Sequence, residues 1–526
     1  MGRLIRYMAL LGIMTIAMAG RAFATTYYVA ANGSDSNNGT SESTPWAHLP
    51  GMRNWTGSYT PTAGDVFILR GCDVWGNASF PVNWAWGGSS GNHIVVSGTG
   101  PGTSYTAWYN SSSCPSGWNR PIFDAGQAIM GGGAECSVNN MFLNISGITY
   151  VDFGWLELRN YYNNSGSCPS KDRWVNLQNP ADYITFNNFY VHASITGPSS
   201  TDNDSMWGVS SLGMCLHCAV TYSVIDNSDG TQYTSGGIQF SLQHSVCQYV
   251  SNCSKVTSGG EIAYNDYEHI GTVISGVHAN CIETVANYTQ TFWIHDNRIH
   301  NMDLANELCE SLQIGNTGET DYVWNNLLYD LGGANGPDIP QACNTGVAAL
   351  YMFNNTFVVT GRAAAVSFSG CAGTNWTTAF VMSNNHCIQG SATGGSSQSQ
   401  YCLLGGTVSG ATTISFQDNL SMTSSTATSD GYTGTQTYVY SPTLGTSPTV
   451  GAGQNLTSTY WPAGFTTNDT SYACSEQTVS GVVQSVCPGR TSNTRPPSGA
   501  WNVGSYEFAS ASSQPAAPSG LTAVVQ

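Results

Sequence analysis

The sequence predicts an all-β chain wound as a right-handed parallel β-helix with a short N-terminal cap helix, and three observations predict it. A pair of Asn residues, or Asn beside Asp, closes a short apolar-alternating run at 187–188, 265–266, 296–297, 325–326, 354–355, 384–385 and 418–419. Counted between second members from Asp266 onward, the steps are 31, 29, 29, 30 and 34 residues, a period that marks a stacked repeat. Within each run large apolar residues alternate with polar ones, which is the period of a half-buried strand and not of a helix. Finally, 60 glycines in 526 residues, 11% aromatic and only 9% charged residues describe strands and turns. Asn suits the bend between strands because it tolerates the left-handed conformation and its amide reaches the same residue one coil above.

The elements follow in order. Residues 1–24 read as a signal peptide: Arg3 and Arg6 precede an apolar stretch from Met8 to Ala19, and Ala22-Phe23-Ala24 supplies a small-x-small cleavage signal. The apolar part is too short to span a bilayer and nothing later is long enough, so membrane insertion is not expected and the product is exported, extracellular or periplasmic. Residues 25–130 form the N-terminal cap and first coils. Here Thr44-Pro45 offers an N-cap and a first-turn proline for the cap helix, stopped by Pro50-Gly51 and covering the open strand edges of the first coil. Repeats fill 131–422. Residues 423–508, rich in Ser, Thr and Gly and without the Asn beat, read as last coils and a C-terminal cap, and 509–526 as a linker with the opening strand of a truncated fibronectin type III-like segment.

Charge and cysteine content restrict the partners. The net charge is −17, and removing the three leader arginines leaves 11 basic against 31 acidic residues, which excludes a nucleic-acid partner. All 16 cysteines lie beyond the leader, as disulfides in an oxidising compartment would. Cys281, Cys309, Cys343 and Cys371 recur at similar places in successive repeats, within disulfide reach across one rung. Cys215-Leu-His-Cys218 has no second matching pair, which favours disulfides or buried thiols over zinc.

The stretch Tyr27 to Trp46, with Gly64-Asp-Val-Phe-Ile-Leu-Arg-Gly71 and the closing Gly504-Ser-Tyr-Glu-Phe508, resembles the secreted bacterial parallel β-helix proteins of the pectate-lyase-like superfamily. These are scaffold motifs, so the resemblance implies the fold and leaves the chemistry open among lyases, hydrolases and adhesins. It also implies that the first strand of each coil forms an outward face on which polysaccharide binds. That strand is expected at 175–177, 209–211, 238–240, 282–284, 312–314, 347–349 and 366–368. Its middle residues would then form the outward column Asn176, Ser210, Gln239, Glu283, Gln313, Ala348 and Ser367.

Gln239, Glu283 and Gln313 are thus expected on consecutive rungs, with His278, Asn280, Glu310, Glu307, Asp303 and His269 clustered around them. Glycoside hydrolysis would take Glu283 as nucleophile or base, Glu310 as acid and His278 as the group that orients one of them; Gln239, Gln313 and Asn280 would bind sugar hydroxyls. Strict alternation from Leu312 turns Glu310 inward unless a bulge intervenes, leaving Glu307 or Asp303 as the next acid. Elimination on a uronide would need calcium, the one cofactor in view, and a basic residue. Lys171 and Lys255 fall off the expected face, which leaves Arg298 or a His. Without catalysis, the same face and Trp84, Trp86, Trp108, Trp118 and Trp155 would make a glycan-binding protein associated with cell surfaces, although end-cap packing suits most of these tryptophans better. The acidic surface favours a neutral polysaccharide.

Overall fold

The computed structural model describes residues 24–508 apart from 100–107, 131–139, 164–172, 197–204, 211–214, 234–236, 273–278, 286–288, 303–306, 308, 316–317, 332–346, 360–365, 368–375, 390–402, 405–409 and 488–489. The leader, His278, Asp303, Lys171, Cys343, Cys371 and the residues after 508 lie outside the described part. The chain is a parallel β-solenoid. One face is a sheet of thirteen parallel strands running from Thr26–Val29 to Thr413–Gln417, and a second is a sheet of twelve from Val74–Gly76 to Leu420–Thr423. The third face is built of shorter sheets, chiefly one of four strands that ends at Ser205–Ser210 and one of three formed by Asn252–Val256, Ala279–Thr284 and Cys309–Gln313. Inward residues such as Phe153, Phe186, Leu242, Ile262, Ile294 and Val323 are fully buried and stack into one continuous core.

The bend between the first two faces shows why the Asn beat exists. Its first residue takes a positive φ, as at Asp296 (54°), Asn325 (56°), Asn354 (55°) and Asn384 (57°). Its second residue forms the ladder. The Asn326 Oδ1 accepts from the Asn297 backbone N–H at 3.1 Å and its Nδ2 at 3.0 Å, and the Asn326 Nδ2 in turn donates to the Ile294 carbonyl at 2.9 Å. Asn355, Asn385 and Asn419 repeat the bond to the coil before. Buried backbone groups at the corner are therefore satisfied by side chains, as an interior requires.

The ladder extends further than the Asn pairs and is partly out of step with them. The Phe189 N–H reaches Ser223 Oγ, Ser223 reaches Ser245 Oγ, Ser245 reaches Asn265 Oδ1 and Asn265 reaches Asn297, over separations of 34, 22, 20 and 32 residues. At 265–266 the ladder member is Asn265, with Tyr264 at positive φ, and Asp266 opens the next strand. At 187–188 Asn188 takes the positive φ and Phe189 the ladder place. Two coils of only 22 and 20 residues consequently lie between Ser223 and Asn265.

Both expected ends are corrected. Thr44–Pro50 forms turns and no helix; Trp46 is drawn out to bridge Val29, and its ring, stacked on Tyr27 at 4.7 Å, covers the end of the core instead. After the strand Leu420–Thr423 no further coil forms among the described residues. A short helix, Ser424–Ser429, is followed by irregular chain and one antiparallel hairpin, Ser475–Val479 with Val482–Val486. This segment lacks the apolar alternation a coil must bury, and it runs back along the bend, where Asn354 and Asn325 bond to Asn502 and Asn468 carbonyls and Arg120 reaches the Val483 carbonyl.

Candidate functional site

Four strands of the third face share a departure from strict alternation. In each, two successive residues turn inward: Trp174 and Val175, Cys253 and Ser254, Cys281 and Ile282, Ser311 and Leu312 are all buried. The residues flanking each pair, three apart in sequence, come to the same outer side. Arg173 Nη1 donates to Asn176 Oδ1 at 2.9 Å, Asn280 Nδ2 to Glu283 Oε2 at 3.1 Å, and Gln313 Nε2 to Glu310 Oε2 at 3.3 Å. This is the bulge that brings Glu310 outward.

Register then sets two columns. In one, Asn252 faces Asn280 and Asn280 faces Glu310; in the other, Lys255 faces Glu283 and Glu283 faces Gln313. Gln239 sits one rung before Lys255: its N–H bonds to the Trp207 carbonyl, and the Lys255 N–H to the Ile238 carbonyl. Gln239 and Glu283 are therefore two rungs apart, not one, and the missed rung is the 20-residue coil carrying Lys255. The Lys255 Nζ lies 3.1 Å from Glu283 Oε2, the two side chains being 33% and 13% exposed. A lysine thus stands on the face from which the sequence had excluded it.

Other expectations change as well. Asn176 faces Gly208, not Ser210, which pairs with Gln178. Ala348 belongs to the strand Val347–Phe353 of the thirteen-stranded face. Glu283 and Glu310 are not directly opposed but lie diagonally, one rung of roughly 4.8 Å and three residues of about 3.3 Å each apart. Glu307 is fully buried, accepting from Tyr233 Oη at 2.8 Å with His269 Nδ1 at 2.9 Å, so it does not face the groove. Arg298 is bound to Asp266 on the second face, a carboxylate held down at about 2 despite its burial by His300 and Arg298. Trp84 is fully buried and Trp155 lies under the Arg120 guanidinium at 5.3 Å, which is packing. The 281–309 disulfide forms, as does 215–218.

Asn280 and Gln313 are each only 4% exposed, and Asn280 Oδ1 and Gln313 Oε1 have no hydrogen-bond partner among the described residues. Their amide N–H groups are spent on Glu283 and Glu310, so the oxygens are left over. Orphaned acceptors of this kind cost about 1–3 kcal/mol each, a penalty that a bound ligand removes. The patch thus offers two carboxylates, two spare amide oxygens and one ammonium group across three rungs.

No family model matches the chain, and no curated protein matches it in sequence. Solved structures do. A pectate lyase matches with TM-score 0.42 and 13% identity over 84% of this chain and 95% of its own. A rhamnogalacturonan lyase matches with TM-score 0.36 and 15% identity over 77% and 88%. A lacto-N-biosidase from Eubacterium ramulus matches with TM-score 0.39 and 12% identity over 76% and 67%.

Proposed function

We propose that this is an exported, right-handed β-helix enzyme that binds a polysaccharide along the third face and cleaves it by β-elimination at a uronic acid unit, with Lys255 as the base. The observation that carries this is the 3.1 Å contact of Lys255 with Glu283 in the groove. Elimination needs a base beside the proton α to the uronate carboxyl, and among the described residues Lys255 is the lysine that stands beside Glu283 on this face, which supports that role. Neutral Lys255 would take that proton, the electron pair would form the C4–C5 double bond, and the C4–O bond would break with the leaving oxygen gaining a proton.

The same patch fits calcium. Glu283, Glu310 and the spare oxygens of Asn280 and Gln313 are hard donors of the kind that ion takes. Bound there, it would neutralise the uronate carboxylate and make the α-proton more acidic. Gln239 and Asn252, on the flanking positions, are placed to bond sugar hydroxyls.

A second reading has its own observation. Glu310 does face outward, so a hydrolase using Glu283 as base and Glu310 as acid retains both carboxyls. The deciding experiment incubates the protein with polyuronides and with neutral glycans, with and without a calcium chelator. Unsaturated, ultraviolet-absorbing products that vanish with the chelator support elimination. New reducing ends without unsaturation support hydrolysis instead. Sugar binding with neither product would leave a glycan-binding surface protein and end the enzymatic proposal.

A further inference from the structure

The strand Glu319–Trp324 turns its odd-numbered residues into the bore of the solenoid, and two of them are acids: Glu319 and Asp321 are both 0% exposed. Asp321 occupies a column in which the coil before places Phe292, the coil after Leu350 and the next Phe380. Neither Asp321 oxygen has a hydrogen-bond partner among the described residues. Glu319 is better provided: its Oε2 accepts from Thr284 Oγ1 at 2.8 Å and from the Gly315 N–H at 3.1 Å.

An ionised carboxylate in such a place, with a second one beside it, is among the most costly arrangements a protein interior can hold. A proton or a cation must offset it. The surroundings select between them. Among the described residues the groups that bond Glu319 are N–H and O–H donors and the residues above and below Asp321 are hydrocarbon, whereas calcium or magnesium takes about six or more oxygens. Of the described groups facing the pair, Phe292, Leu350, Thr284 and Gly315 carry no charge, and among the described residues the other titratable group bearing on Asp321 is Glu319.

We infer that Asp321 and Glu319 form an internal proton-binding site, in which Asp321 stands as the neutral acid and Glu319 as the hydrogen-bonded carboxylate. Burial first and Glu319 second push the Asp321 carboxyl well above its ordinary 3.8. The site touches the groove from inside. Thr284, which bonds Glu319, directly follows Glu283, so the pair braces the strand that presents Glu283 outward.

The sign of the pH effect follows. A carboxyl raised in the fold contributes its stability in full below 3.8, and that stability is lost progressively as pH rises from there toward the folded value. Asp321→Asn keeps the shape and removes the titration. Its Tm should equal that of the wild type near about pH 4 and exceed it by a margin that widens as pH rises. A protonated-carboxyl infrared band should persist in the wild type at about pH 9, above the range in which Glu476 loses its proton, and be absent there from the variant. That band can also be read on the wild type alone if the variant folds poorly. A variant destabilised equally at every pH, or a wild-type protein whose Tm falls on chelation while the variant's does not, would overturn the inference in favour of a structural carboxylate or a bound cation.

Discussion

The coils from Asn297 to Asn419 and the coils from Ser223 to Asn265 solve the same bend with different material. The former spend 29, 29, 30 and 34 residues per turn and join each bend by Asn to Asn. The latter spend 22 and 20, and join it through Ser to Ser to Asn. Serine can accept the neighbouring N–H, but its hydroxyl has no second arm to return to the preceding strand as the amide does; in Ser223 and Ser245 it bonds the local carbonyl of Thr221 or Gln243 instead. The shorter coils are thus stitched more lightly at the corner, and they are the ones that bring Lys255 to Glu283. What distinguishes the two regions is bonding at the bend and chemistry on the far side, not fold.

The largest effect expected from breaking this contrast is on turnover. Lys255→Ala should lower elimination by about 10²- to 10⁴-fold, the range of a general base, while the far-ultraviolet circular dichroism stays that of wild type. Unchanged release of unsaturated product would remove Lys255 from the chemistry. Glu283→Gln should also reduce turnover, with a loss of calcium dependence in the same assay.

Next come the ladders themselves. Asn355 is fully buried, its Oδ1 accepting from Asn326 N–H and Nδ2 and its Nδ2 donating to Val323 and Asn385. Asn355→Ala should cost about 3 kcal/mol in chemical denaturation, because it strands buried donors and acceptors on two coils. Ser245→Ala should cost about 1–2 kcal/mol, since one bond accepted from Ser223 and one local bond donated to Gln243 are lost. Equal costs would show that the two corners are held alike and that the comparison is wrong.

The smallest effect concerns the hairpin packed beside the short coils. Burial first, then Asp226 and Glu268, push the Glu476 carboxyl up to about 7. A carboxyl raised in the fold helps docking fully below its ordinary 4.5, and that help is lost as pH rises from there to about 7. Amide exchange in 475–486, measured relative to the intrinsic rate at each pH, should therefore quicken between about pH 5 and about pH 8, and Glu476→Gln should flatten that change. No quickening in the wild type would show that the hairpin is held by its backbone contacts alone.

Which parts were legible in the sequence follows from the same contrast. Asn297, Asn326, Asn355 and Asn385 announce their corner because amides there do two jobs that few other side chains can, so fold and period were readable. The short coils were not, because Tyr264 at positive φ and serines at 223 and 245 carry no distinctive signal. Skipping that rung put Lys255 in a loop and left Gln239 beside Glu283. Alternation also misled at Glu310, since the paired inward residues Ser311 and Leu312 are both compatible with burial and only the register reveals the bulge. Phe292, Leu350 and Phe380 look like any strand residues until stacking shows that Asp321 shares their file.

Because each of these bends passes a backbone N–H to a side-chain oxygen of the next coil while the chain between bends ranges from 20 to 34 residues, length can be added or removed on the far side without losing that bond. The solenoid behaves like a loom whose warp is fixed at one edge. If the third face binds glycan as proposed, changes in what it binds can accumulate in the chain between bends, with the frame that positions Lys255 and Glu283 left untouched.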